Sequence, residues 1–191
     1  MTISVCLFCG SRHGLDPRYR AMARDFGRLA GQAGVTVIFG GGHVGLMGAA
    51  ADATLAAGGR VVGLIPARLL EREVGHRAIS ELIVTRDMFE RKQQMIERAD
   101  AFVVLPGGLG TLDELLEVIT LRQLGYHDKP ILLVNCGGYW DPFVTMVERV
   151  VGQAFAEPDV RDLFEVTASV EDALARLGIA MAPPLRAAGA D

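Results

Sequence analysis

Seven short runs of β-branched or otherwise apolar residues recur along the chain, separated by stretches of helical spacing and by turn residues. They are Ile3 to Cys9, Val35 to Phe39, Arg60 to Ile65, Leu82 to Thr85, Ala101 to Leu105, Ile131 to Asn135 and Phe164 to Thr167. Strands that alternate with crossover helices form right-handed βαβ units, whose parallel strands need cover on both faces. The expected fold class is therefore α/β: a single Rossmann-like three-layer domain, with a mostly parallel sheet of about seven strands and helices on both faces. Helix punctuation agrees. Asp16 followed by Pro17 opens the first helix, Gly58 and Gly59 end the second, and Gly125 ends a helix that begins near Thr111.

At 191 residues, half of them hydrophobic, the chain buries a sizeable core but is short for two independent domains. One Rossmann-like domain is expected over 1–179. The stretch 180–191 (AMAPPLRAAGAD) has two prolines, small residues and no periodicity, and reads as a flexible tail. The formal net charge of −4 supplies no basic field for nucleic acid, so no nucleic-acid partner is expected. Met1 to Gly10 is apolar but has no basic flank and meets Ser11 and Arg12 before a membrane span is complete. It reads as a strand of a cytoplasmic protein with no membrane partner. The three cysteines, Cys6, Cys9 and Cys136, are odd in number, which fits a reducing compartment. Cys6 and Cys9 spell C-x-x-C, but three apart on a strand they face opposite sides, as buried structural thiols rather than a redox pair. His13, His43, His76 and His127 show no metal-ligand spacing, so no metal is expected.

Two glycine-rich turns follow strands directly and open helices. One runs Gly40-Gly41-Gly42-His43-Val44-Gly45-Leu46-Met47-Gly48, the other Pro106-Gly107-Gly108-Leu109-Gly110-Thr111. Glycine lets the backbone approach an anion closely, and helix N-termini present unpaired N–H groups with a partial positive charge. At the carboxyl ends of parallel strands, both loops converge on the edge where open α/β sheets bind ligands, joined by Gly10-Ser11-Arg12 after the first strand. Neither loop is the usual dinucleotide fingerprint, because the second strand ends in glycines rather than an acid, and neither contains the G-K-[ST] of a P-loop. The expected ligand is one phosphorylated nucleoside.

Glu114 and Arg91 stand out as candidate functional residues, yet each has a plainer reading. Thr111-Leu112-Asp113-Glu114 also matches a capping box, with Thr111 as cap and Glu114 folding back to it. Met88, Arg91 and Lys92 share a helical face by i, i+3, i+4 spacing, which equally suits a solvated arginine above a core methionine.

Taken together, Gly41-Gly42 through Gly45-Leu46-Met47-Gly48, Asp87-Met88 with Arg91-Lys92, and Pro106-Gly107-Gly108-x-Gly110-Thr111-x-x-Glu114 resemble the paired signatures of LOG-type ("Lonely Guy") phosphoribohydrolases, often mislabelled lysine decarboxylases. The likeness continues through Gln123-Leu124-Gly125 and His127-Asp128-Lys129-Pro130 to Gly138-Tyr139. The resemblance implies hydrolysis of the N-glycosidic bond of (N6-substituted) adenosine 5′-monophosphates, releasing a cytokinin base and ribose 5-phosphate without a cofactor. It implies Arg91 and Glu114 as catalytic residues. Substrate binding falls to Ser11, Gly41, Gly42, Gly45, Met88, Lys92, Gly107, Gly108, Gly110 and Thr111. It further implies a homodimer with sites near the interface. Phe89, Leu109, Arg12 and Arg122 replace residues common in the family (histidine, tyrosine, serine and tryptophan), and the first two bear on the base pocket. The alternative reading is a non-catalytic nucleotide or molybdenum-cofactor carrier, since related Rossmann-like proteins serve that role. The decarboxylase label meets a simple count: only Lys92 and Lys129 are available for a pyridoxal Schiff base, and neither has the context of one.

Overall fold

In the computed structural model, which describes residues 2–70 and 75–179, each apolar run forms a strand. They are β1 (Ser4–Phe8), β2 (Thr36–Phe39), β3 (Arg60–Pro66), β4 (Glu81–Thr85), β5 (Ala101–Val104), β6 (Ile131–Val134) and β7 (Glu165–Thr167). The expected tail at 180–191 lies outside the described residues. Among those residues the strands make one sheet in the order β4-β3-β2-β1-β5-β6-β7, and every neighbouring pair is parallel.

The helices are α1 (Pro17–Gln32), α2 (Gly45–Ala56), α3 (Ala67–Leu70), α4 (Met88–Arg98), α5 (Leu109–Gln123), α6 (Asp141–Gly152) and α7 (Val170–Arg176). Alternating strand side chains fill two cores. Val5, Leu7 and Cys9 pack with α1, α2 and α7 on one face; Cys6, Phe8 and Phe102 pack with α4, α5 and α6 on the other. Each fully buried Val, Leu, Ile or Phe contributes roughly 1.5–3 kcal/mol. The inner strands β5 and β6 are buried along their whole length, whereas β4 and β7 at the edges keep exposed positions. That gradient explains why the inner runs read as continuous apolar segments.

The chain winds outward from β1 through β2 and β3 to β4, then returns through α4 to place β5 on the other side of β1. From there it winds outward again to β6 and β7. Because α1 leaves β1 toward one face and α5 leaves β5 toward the other, a crevice opens between the carboxyl ends of these two strands.

Cys6 and Cys9 are buried on opposite faces, and burial drives both thiol pKa values upward, with the charge of Glu114 adding to the effect. Cys136 is partly accessible. A chromogenic disulfide reagent should therefore titrate Cys136 alone in the native protein and all three thiols after denaturation. Reaction of Cys6 or Cys9 at the rate of Cys136 would contradict this burial. The raised pKa values also give a sign. Unfolding lets both thiols ionise near their ordinary value of 9.0, so the stability they lend is intact below that pH and falls as pH rises beyond it.

Candidate active site

Three strand-end loops meet at Gly10. Its N–H donates to the Pro106 carbonyl at 3.1 Å, and its own carbonyl accepts from the Leu46 N–H at the start of α2, at 3.0 Å. The loops after β1, β2 and β5 are thereby hydrogen-bonded into one rim. Side-chain oxygens of Asp16, Asp87 and Ser169 cap α1, α4 and α7. No side chain caps α2 or α5, the two helices that follow glycine loops. The first helical bond of α5 runs from Leu112 N to Gly108 O at 3.1 Å, so the N–H groups of Leu109, Gly110 and Thr111 have no acceptor within the helix. The same three residues line the crevice, so this helix end is a local positive pole at its wall.

Helix α5 begins at Leu109, earlier than the sequence signals suggest, with extended Gly108 as its N-cap. Thr111 therefore sits inside the first turn, buried, and is not the residue that caps the helix. Glu114 instead reaches Arg91, with Oε1 3.4 Å from Nη2. Both are buried, 9% and 7% exposed. Arg91 also donates from Nε to the Leu64 carbonyl at the end of β3 (3.1 Å) and touches the Met88 sulfur through Nη1 (3.5 Å). The solvated-arginine reading is thus reversed: Arg91 is enclosed and Met88, at 38% exposure, looks outward.

The cavity in the crevice has a volume of about 620 Å³. Of the residues expected from sequence, it gathers Arg91, Glu114 and Met88, and with them Ser11, Gly107, Gly108, Gly110 and Thr111. Four others stand outside its lining. Gly41 and Gly42 serve as loop backbone: Gly41 accepts from His76 N–H at 3.0 Å, and Gly42 bridges to Gly75. Gly45 is pressed against Ser11, where a Cβ would come within 2.2 Å of the Ser11 carbonyl carbon, and its φ is +67°. The residues that follow it, Leu46 and Met47, form the wall. Lys92 points to α5, 3.1 Å from both Asp113 and Glu117.

Sequence reasoning missed Tyr19 and gave Tyr139 no role, though both line the cavity. The Tyr139 hydroxyl donates to the Gly107 carbonyl, and its ring meets Tyr19 edge-on at 5.7 Å. Tyr139 follows β6, so the same strand-end logic that singled out the glycine loops reaches it.

The family described as "Possible lysine decarboxylase" matches residues 47–177. A probable cytokinin riboside 5′-monophosphate phosphoribohydrolase of Oryza sativa subsp. japonica is 39% identical over 173 residues, covering 91% of this chain and 71% of that protein. Another, from Arabidopsis thaliana, is 43% identical over 157 residues, covering 82% of this chain and 72% of its own length. The chain belongs to the LOG family. Among solved structures, the molybdenum cofactor binding protein of Rippkaea orientalis superposes with a TM-score of 0.71 at 20% identity, covering 93% of this chain and 96% of that one. The Moco carrier protein of Chlamydomonas reinhardtii gives the same figures. At that identity the likeness is one of fold.

For this member of the LOG family, the lysines argue against the decarboxylase description. Burial disfavours the Lys92 charge, but its bonds to Asp113 and Glu117 outweigh that and hold its pKa above the ordinary value, the wrong direction for an imine-forming amine. Lys129 Nζ donates to the Ile96 carbonyl at 2.8 Å near the end of α4. Both amines are engaged in holding α4 in place.

The glycines give a discriminating test. Gly45→Ala meets both a backbone clash and a left-handed φ, and should cost about 3 kcal/mol, a fall in Tm on the order of 10 °C. Gly108→Ala has open space around the added methyl and should melt within a degree or two of wild type, roughly. Equal melting temperatures for the two variants in a thermal scan would show that the contact between these loops is misplaced.

Proposed function

We propose that this chain hydrolyses the N-glycosidic bond of N6-substituted adenosine 5′-monophosphates, releasing the free base and ribose 5-phosphate. The observation that carries this reading is the buried Arg91–Glu114 pair set beside the uncapped N-terminus of α5 in one cavity. The names of the LOG relatives support it. Water supplies the hydroxyl to the ribose carbon and a proton to the departing base, so the balance calls for no cofactor.

Breaking this bond passes through a sugar with oxocarbenium character and a base that gains negative charge. On this reading the 5′-phosphate rests on the backbone N–H groups of Gly108, Gly110 and Thr111, with the Thr111 hydroxyl beside it. Tyr139 holds the Gly107 carbonyl and so fixes the tilt of the loop's peptides. Glu114 carries the sign that stabilises the sugar cation or orients the attacking water. Arg91 carries the sign that anchors the substrate or assists the base as it leaves. Ser11 and Met88 complete the substrate's surroundings, and Gly41, Gly42 and Gly45 shape the loop that delivers Leu46 and Met47. Lys92 acts from behind, by fixing α4 against α5.

Phe89 and Leu109 are 79% and 85% exposed; Leu109 and Met88 line the cavity, and Phe89 follows Met88 on α4. Large apolar side chains left in water beside a cavity suit a second copy of the chain, so we read the active form as a homodimer whose partner closes the base end of the site. No described helix is long and apolar enough to cross a membrane, and the three thiols are free, which fits a cytoplasmic protein.

Incubation with AMP and an N6-prenylated AMP, followed by chromatography of free base and ribose 5-phosphate, tests this directly. Glu114→Ala and Arg91→Ala should each lower turnover by on the order of 10²–10⁴-fold. The corresponding unphosphorylated ribosides should react poorly, because remote phosphate binding drives the chemical step. Unchanged turnover in both variants, or tight AMP binding with no base released, would defeat the proposal and favour a carrier.

A further inference from the structure

A second group of chemically capable side chains lies outside this cavity, on the other side of the β2–α2 glycine loop. His43 comes from that loop, Asp52 from α2, and His76 from the segment before β4. One ligating atom from each lies within 4.8 Å of the other two. His76 is 3% exposed, and its Nε2 stands 2.8 Å from Asp52 Oδ1. The His43 ring meets the His76 ring edge-on at 4.9 Å. His76 Nδ1 is buried with no hydrogen-bond partner among the described residues, so the ring is held through Nε2 alone.

We propose that His43, Asp52 and His76 bind one first-row divalent transition metal ion, of the zinc class, per chain. Two neutral imidazoles and one carboxylate form a borderline donor set that suits Zn²⁺, Co²⁺ or Ni²⁺, whereas Mg²⁺ and Ca²⁺ require oxygen ligands throughout. Metal–ligand bonds of about 2.0–2.1 Å in a tetrahedron place ligand atoms roughly 3.3 Å apart. His76 is the fixed member, its backbone N–H donating to the Gly41 carbonyl at 3.0 Å beside the Gly42–Gly75 bridge. Asp52, 62% exposed, and His43, also exposed, are the members left to close the remaining distance. A cation on Nε2 puts the ring proton on Nδ1, which is buried with no acceptor among the described residues, so the metal–nitrogen bond has to outweigh that unsatisfied donor. The fourth position opens onto a cleft of about 810 Å³ bordered by α1 and α2, where water completes the coordination.

Occupancy would tie together the glycine loop, α2 and the segment preceding β4. The same loop continues into Leu46 and Met47, which line the first cavity, and Leu46 is bonded to Gly10. The metal is thus a structural clamp on one wall of the site and takes no part in chemistry at Glu114.

The test uses untagged full-length protein stripped with a chelator and dialysed. Co²⁺ is titrated in while its visible d–d bands are followed, and Zn²⁺ affinity is read by competition with a chromogenic chelator. Wild type should bind one equivalent of each and melt at a higher temperature when loaded. His43→Ala alters an exposed side chain and should fold, melting like the metal-free wild type; Asp52→Ala also removes the one hydrogen bond of the buried His76 ring and should melt lower, and each should bind at least about tenfold more weakly. Absence of saturable binding at one equivalent, or wild-type affinity in either variant, would overturn the assignment and leave His76–Asp52 as an internal hydrogen bond. Because the readouts are spectra, affinity and melting temperature, the result is independent of whether the chain cleaves nucleotides.

Discussion

The backbone of Gly10 is the junction on which the candidate site depends. Its two hydrogen bonds join the loop after β1 to the loop after β5 on one side and to the first turn of α2 on the other. Parallel sheets present all their carboxyl ends along one edge, but they do not by themselves bring successive loops into contact. That contact is made here by peptide groups, and side chains at Gly45 and Gly107 would prevent it. At Gly107 a Cβ would sit 2.0 Å from the Thr111 hydroxyl and 2.9 Å from Gly10 N. Close approach of backbones, more than any one side chain, sets the shape into which Arg91 and Glu114 project.

The Arg91–Glu114 pair is an arrangement that stability alone does not favour. Removing two charges from water costs several kcal/mol per ion, and apolar residues of similar volume in such places are often neutral or stabilising. The chain makes room for the guanidinium by omission: Gly40 lies where any Cβ would fall 2.0 Å from Nη2. A strand-end glycine is thus coupled to a buried arginine on a different helix, far away in sequence. Lys92, the next residue, shows how the neighbouring cation is satisfied differently, by two acids on α5.

Most of the fold was legible because buried parallel strands have to be apolar runs and helices have to be punctuated. All seven runs became strands, and Asp16 capped α1 as its position before Pro17 suggested. Cys6 and Cys9 fell on opposite faces, as the period of a strand requires. The start of α5 was misread because Thr-x-x-Glu imitates a capping signature, while the true N-cap, Gly108, has no side chain with which to announce itself. The depth of Arg91 was not legible either. A charged residue on an amphipathic helix defaults to solvent, and only the missing side chain of Gly40 and the carbonyl of Leu64 make it a buried position. The clustering of His43 and His76 with Asp52 was not legible for a related reason. They come from a loop, a helix and a later segment, so no spacing along the chain connects them.

The pairing of β1 with β5 aligns Val5 with Ala101 and Phe8 with Val104, and Ser4 N–H is held by the Asp100 carboxylate across 96 positions of sequence. The strands β1 to β4 with their helices form a half built from neighbours in sequence, and so do β5 to β7. Joining the halves closes the longest loop in the sheet, the step whose entropy cost is met last by a chain that gains local contacts first. The crevice exists only along that seam. A chain that had collapsed into its two halves without zipping them together would have native-like helices and strands but no cavity, so the capacity to hold a ligand arises in the same event that completes the fold.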